Sequence, residues 1–237
     1  MKIVILQTSD GVSEYTKMHN FTKDINTKYC DLYGYNYVEH VGVIRGPAPW
    51  FATYNRLFLL PDMIGGNEYD WIVYLDADAV MSDFTRSLEE FIGSDTDKVI
   101  ISSGDGVCPQ AGVMIINANH DKSFKLFSDA RDAFLQIPEN ELDNYIEPWC
   151  AGIPNDQRLI HNAAKKILTP DDVLLYNGKS KRVINAGYVH GVSFISQALT
   201  QRRKSKNDKH CNIGPGFNTV QGRIAAINKW SEQFLPK

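Results

Sequence analysis

Asp76 and Asp78 are the residues whose types and spacing point most directly at chemistry: they close the apolar run Trp71-Ile72-Val73-Tyr74-Leu75 with two carboxylates separated only by Ala77. In an extended backbone, residues two apart share a face. Both carboxylates can therefore address one divalent ion, and such an ion neutralises a pyrophosphate. This arrangement suits an enzyme that handles a nucleoside diphosphate. Asp95-Thr96-Asp97 repeats the spacing within a polar stretch, where a solvated turn is the simpler reading. Context separates the two pairs. Trp71 to Leu75 have the composition of a strand covered on both faces, and open α/β sheets gather their ligands at the carboxyl ends of strands.

The elements that must position this pair follow from the pattern on either side. Lys2 to Leu6 predict a first strand, and Gln7-Thr8-Ser9-Asp10-Gly11 turns toward a helix that ends near Gly34. Gln7, Thr8 and Ser9 stand where the base and ribose of a nucleotide would sit. Tyr35 to Val41 predict a second strand, and Trp50 to Leu60 a helix closed by Pro61. Further strands are predicted at Val99 to Ser102, Gly112 to Ile116 and Val173 to Leu175. Helices are predicted at His120 to Leu135 and Asn155 to Lys166, and Val183 to Val189 is a run leading to His190. Alternating strands and helices predict an α/β sandwich with a mostly parallel central sheet. The organisation expected is one domain over residues 1–200. Residues 201–237 then form a basic tail with a last amphipathic stretch at Arg223 to Phe234, either a lid or a docked helix.

The 237 residues, 43 % of them apolar, suffice for a substantial core. A formal charge of -3 and a pI near 6.1 give no reason to expect nucleic acid as a partner. The cluster Arg202, Arg203, Lys204 and Lys206 reads as solvated surface, with a diphosphate clamp or a peripheral contact with an anionic membrane as alternatives. No window approaches the ~20 apolar residues of a membrane span, and Met1 to Leu6 are too short for a signal peptide. A cytoplasmic protein is expected, unless an anchor was removed upstream. Cys30, Cys108, Cys150 and Cys211 are scattered and read as reduced, with neither zinc spacing nor a disulfide framework.

Tyr29-Cys30, Tyr33-Gly34-Tyr35, Pro49-Trp50, Trp71 through Asp78, Ala111-Gly112-Val113 and Asp156-Gln157 occur in an order that resembles glycosyltransferases of the GT-A fold. The chain is most similar to the retaining galactosyl, mannosyl and xylosyl transferases of glycosyltransferase family 34, over roughly residues 1 to 195. The resemblance implies a Rossmann-like nucleotide-diphospho-sugar transferase fold, a UDP- or GDP-linked sugar donor, and a glycan or other hydroxyl acceptor. It also implies retention at the anomeric carbon. Asp76 and Asp78, with Ala77 between them, would serve the metal and the donor ribose or diphosphate, and His190, followed by Gly191 at the donor, would complete the metal shell. The chain departs from the family at His190-Gly191-Val192-Ser193, where histidine, two residues and glycine are usual. It departs again at Ala52, where a basic residue is expected and Arg56 is the nearest candidate.

Oxygen ligands make Mn2+ or Mg2+ the expected ion, and an imidazole from His190 favours manganese; the plainer reading of His190 is a hydrogen-bonded histidine at a strand end. Asn155, Asp156 and Gln157 read either as a helix cap with acidic residues at the dipole or, by resemblance, as groups beside the reacting carbon and the acceptor, with Asp156 and Gln157 in catalytic roles. Tyr54 and Arg56 can approach the nucleotide, although one helical face explains Phe51, Tyr54 and Phe58 as core. Trp50 and Trp149 can flank the sugar or sit in the core. Ala111 and Gly112 let the backbone approach the donor sugar, or are ordinary strand residues. Two other functions fit this layout: a sugar nucleotidylyltransferase, whose glycine-rich, arginine-containing loop Gln7 to Val12 lack, and a non-catalytic glycan- or nucleotide-binding module.

Overall fold

A computed structural model describes residues 1–12, 14–145, 153–177, 183–198 and 219–235, with backbone alone at 185 and 186. At its centre β1 (Ile3–Ser9) runs parallel to β2 (Asn36–Val41) on one side and to β3 (Trp71–Leu75) on the other. Next to β3 lies β6 (Cys108–Asn117), antiparallel, then β5 (Ile100–Asp105), antiparallel to β6, and β7 (Val173–Tyr176), parallel to β5. The six-stranded order is therefore β2-β1-β3-β6-β5-β7, mostly parallel, with β6 running against its neighbours. A smaller sheet has the order β4 (Ala79–Met81), β9 (Ile195–Gln197), β8 (Ile184–Ala186).

Alternation along the central strands sorts the core into two layers. Val4, Leu6, Ile72, Tyr74, Met114 and Ile116 face α2 (Asn55–Gly65), α4 (Asp121–Leu135) and α6 (Asp156–Ile167). Ile3, Ile5, Trp71, Val73, Leu75, Val113 and Ile115 face the other way, toward α1 (Glu14–Tyr33), the small sheet and α7 (Val220–Phe234). All five residues of β3 are buried, as a strand enclosed on both faces requires. Two short helices, α3 (Leu88–Ile92) and α5 (Glu139–Leu142), complete the α-helices among the described residues; a capping box between Ser87 and Glu90 fixes the first turn of α3. Gly34 ends α1 with φ +74, a conformation that suits a residue without a Cβ, and Tyr35 N–H then reaches back to the Cys30 carbonyl at 2.9 Å.

The expected elements are present, α3 and α5 are additional to them, and three further differences follow. Residues Pro49–Tyr54 form a 3-10 turn before α2, and Pro61 lies inside α2 rather than closing it. The helix continues because Leu60 and Ile64 on its inner face belong to the core, which outweighs one lost backbone hydrogen bond. The three-residue strands β4 and β9 are additional, and the last amphipathic stretch is a docked helix, with Ile227 of α7 fully buried against the α1 layer. Trp149, Cys150, Cys211, His210 and the basic cluster Arg202 to Lys206 lie outside the described residues. Cys30 and Cys108 are free thiols, and burial pushes the Cys30 thiol up to about 12.

Candidate active site

Strand β3 ends at Leu75, and the chain immediately turns: the Ala79 N–H donates to the Asp76 carbonyl at 3.0 Å, and Asp76 N–H reaches the Gly112 carbonyl at 2.8 Å. The two aspartates are thus on a turn rather than on an extended segment, and they diverge. Asp76 continues the alternation of Ile72 and Tyr74 toward α2 and α6, while Asp78 is carried to the side of β9 and α7.

Buried polar side chains of β1 and α1 hold this turn. Gln7 Nε2 donates to the carbonyls of Asp76 (2.9 Å) and Ala79 (3.2 Å), and Thr22 Oγ1 donates to the Ala77 carbonyl at 2.9 Å. Asn26 Nδ2 donates to the Ala79 carbonyl and to Gln7 Oε1, both at 3.1 Å, and its Oδ1 accepts from Met81 N–H at 2.9 Å. Every buried backbone group of a tight turn needs such a partner. Gln7 is fully enclosed, with Tyr37 also donating to its Oε1 at 2.7 Å. It therefore fixes the turn rather than reading a base, contrary to the sequence expectation: position 7 points to the α1 face, as its neighbours Ile3 and Ile5 do.

On the α2 side, Arg56 links three elements. Its Nη2 donates to Asp76 Oδ1 at 2.6 Å, its Nε lies 3.1 Å from Asp156 Oδ2, and its Nη1 donates to the Ala111 carbonyl. The guanidinium also lies over the Tyr74 ring, 4.5 Å from its centroid. The Tyr74 hydroxyl, 2.8 Å from Thr8 Oγ1, donates to Asp76 Oδ1 at 3.4 Å. Asn155 caps α6 by accepting from Arg158 N–H at 2.8 Å, which leaves the Asp156 side chain for Arg56. Burial raises the Asp156 carboxyl above its ordinary value, with Arg56 pulling it back. Gln157 Oε1 accepts from Ala111 N–H at 3.2 Å.

On the α7 side, Gln197 Nε2 donates to both aspartates, at 3.2 Å to Asp76 Oδ2 and 2.7 Å to Asp78 Oδ1. Arg223 Nη2 pairs with Asp78 Oδ2, while its Nε donates to the Ala198 carbonyl and its Nη1 to the Tyr15 hydroxyl at 3.1 Å. Burial pushes Asp78 up to about 6 against the pull of Arg223. Asp76 keeps 31 % of its side chain exposed and Asp78 only 6 %, so a ligand meets Asp76 first. Three carboxylates against two guanidinia leave the cluster one net negative charge.

The structure brings Thr8, Arg56, Asp76, Ala77, Asp78, Ala111, Gly112, Asp156 and Gln157 to the carboxyl edge of β1 and β3. Gly112 is required there by close approach: a Cβ at this position would stand 2.7 Å from Asp76 Oδ2 and 2.8 Å from the Gln197 amide. Ser9, at the end of β1, is buried with an unpartnered hydroxyl. Tyr54 is a core residue that stacks on Phe134 at 4.3 Å and donates to the Pro154 carbonyl, one face of its turn being apolar. His190 is not gathered with the aspartates. It is exposed in a turn beside Gly191, its Nδ1 lies 3.1 Å from the Tyr188 hydroxyl, and among the described residues no three His, Cys, Asp or Glu side chains converge as a metal site. Sequence reasoning missed Gln197 and Arg223. The available signal was polarity in an apolar place: Arg223 lies on the stripe of α7 that continues through Ile227 and Ser231.

No family model and no curated protein matches the chain. Among solved structures it is similar to a glycosyltransferase involved in the glycosylation of the major capsid of PBCV-1, at 15% identity and a TM-score of 0.57 over 85% of this chain and 95% of that one. It is also similar to the apo form of the glycosyltransferase GlyE of Streptococcus pneumoniae TIGR4, at 15% identity and a TM-score of 0.50 over 98% of this chain. The likeness takes in 64% of GlyE, so the chain spans less than two thirds of that protein. The mixed α/β fold, with its six-stranded, mostly parallel sheet flanked by helices, is thus one that these glycosyltransferases share. No described helix is long and apolar enough to cross a membrane.

Proposed function

We propose that the protein is a metal-dependent glycosyltransferase that moves a sugar from a UDP- or GDP-linked donor to a hydroxyl of a glycan or other acceptor, with retention of anomeric configuration. The observation that carries this reading is the aspartate turn at the carboxyl edge of β3, within a fold shared with solved glycosyltransferases. Asp76 and Asp78 offer hard carboxylate oxygens, and the buried, unpartnered Gln197 Oε1 beside the side-chain-free Gly112 is a further oxygen, so the residues fit Mn2+ or Mg2+. When bound, the ion supplies charge stabilisation to the leaving nucleoside diphosphate. Thr8 and Ser9 lie at the strand end where the nucleoside would rest. Arg56 orients Asp76 and is itself held by Asp156, which makes Asp156 a positioning residue. Gln157, fastened to the Ala111 backbone, borders the acceptor side.

A binding module without turnover is the second reading, favoured by the pairing of both aspartates with guanidinia. Release of nucleoside diphosphate from a panel of UDP- and GDP-sugars, with Mn2+, Mg2+ or EDTA, separates the two when hydroxyl acceptors are supplied. The transferase reading expects release that needs metal and falls at least 100-fold in Asp78→Ala, a change of about 2.7 kcal/mol in barrier. Binding of donor with no release across acceptors would favour the module.

A further inference from the structure

Gln197 occupies the point where the two halves of the aspartate motif meet. Strand β9 pairs antiparallel with β4 and sets Gln197 opposite Ala79, the residue that follows the motif. Its Nε2 touches one oxygen of each aspartate, the residue is only 3 % exposed, and its Oε1 is buried with no partner. Buried polar atoms are satisfied in the great majority of cases; here Nε2 is satisfied by the carboxylates while Oε1 of the same amide is not, so neither sense of the amide is complete without a further partner at this site. Gly112 closes the other side with bare backbone, and a Cβ there would stand 2.8 Å from both amide atoms of Gln197. No side chain intervenes between the amide and the carboxylates.

We propose that Gln197 is a protein ligand of the divalent ion, its amide turned over so that Oε1 joins the carboxylates of Asp76 and Asp78, in the place expected of His190. The inference rests on the metal-dependent reading above. An amide can face a carboxylate pair in two senses: its N–H group donates to both oxygens, or its carbonyl sits beside them as a third hard ligand to a shared dication. The terminal torsion of a glutamine is broad, so the amide can turn in place, exchanging its two N–H bonds to the carboxylates for a bond from Oε1 to the ion. His190 stands outside this arrangement, exposed and hydrogen-bonded to Tyr188.

Mn2+ binding, followed by loss of the free-ion EPR signal with and without added UDP or GDP, tests this independently of turnover. Gln197→Ala is expected to weaken Mn2+ binding at least tenfold, Gln197→Glu to keep or tighten it, and His190→Ala to leave it unchanged. Circular dichroism checks that each variant is folded. Should Gln197→Ala not fold, the melting temperature of Gln197→Glu decides, because Mn2+ is then expected to raise it by more than it raises that of the wild type. Wild-type affinity in Gln197→Ala, no extra thermal gain in Gln197→Glu, or a tenfold loss confined to His190→Ala overturns the assignment while leaving metal dependence standing. A wild-type protein that binds no Mn2+, alone or with either nucleotide, overturns the metal-dependent reading and this ligand together.

Discussion

At the scale of single residues, Arg56 shows how buried charge specifies the site. A guanidinium that is 3 % exposed depends on its carboxylate partners, and removing one partner from such a pair typically costs about 3–5 kcal/mol. The aspartate pair that closes β3 is readable from sequence; the turn that parts the two carboxylates and the partner that orients Asp76 are not, because Arg56 is twenty positions away and only α2 packing brings it back. Gln197 and Arg223 lie farther still along the chain, and no local spacing relates them to Asp78. Gly112→Ala tests the close approach at this point. The added methyl must displace Asp76 or Gln197, so a loss of about 1–3 kcal/mol in urea unfolding and at least a tenfold fall in donor turnover are expected. Unchanged turnover would mean that the donor does not use this approach. For Gln157→Ala, a larger loss in kcat than in stability is expected if the amide meets the acceptor. Unchanged kcat with weaker folding would leave only its bond to Ala111.

Elements succeed or fail by how much of their own pattern they carry. The run from Trp71 to Leu75 announces β3 because both faces are apolar, and Asn155 and His120 announce helix starts because each caps with its own side chain. Strands β4 and β9 have three residues each and no period to read; they exist because the turn at Asp76 redirects the chain beneath α1. Pro61 misleads locally, since tertiary burial overrides its usual role as a stop. Between elements, Asp172 joins the 3-10 turn before β7 to α4: Lys122 Nζ donates to its two oxygens at 2.7 and 2.8 Å, and the Thr169 N–H and hydroxyl donate to Oδ2. Burial works against its charge, but these donors outweigh it and hold the carboxyl at about 2, below the ordinary 3.8. A depressed carboxylate stabilises the fold above its unfolded value and loses that contribution as pH falls from 3.8 toward 2. Asp172→Asn is expected to cost about 1–3 kcal/mol at pH 7, and the gap to wild type should close in urea titrations taken down to pH 2. A gap independent of pH would assign the loss to geometry instead of charge.

For the whole molecule, the central sheet is the shared wall of two apolar layers, so neither layer is complete without it. Unfolding is therefore expected as one transition, with tryptophan fluorescence and far-ultraviolet circular dichroism coincident in denaturant; separated midpoints would show that the α7 layer comes away on its own. Ile227→Ala, which empties a fully buried position in that layer, should lower the unfolding free energy by about 2–4 kcal/mol and move the common midpoint down with it. The route of the chain through the site carries one more consequence, for biosynthesis. The large sheet has all its strands once Tyr176 has been made, whereas the groups that meet Asp78 arrive only with Gln197 and Arg223. A nascent chain can thus assemble its scaffold while Asp78 still lacks its guanidinium. The Asp78–Arg223 pair is therefore made after every strand of the large sheet, and Asp78 has no guanidinium until Arg223 has been synthesised.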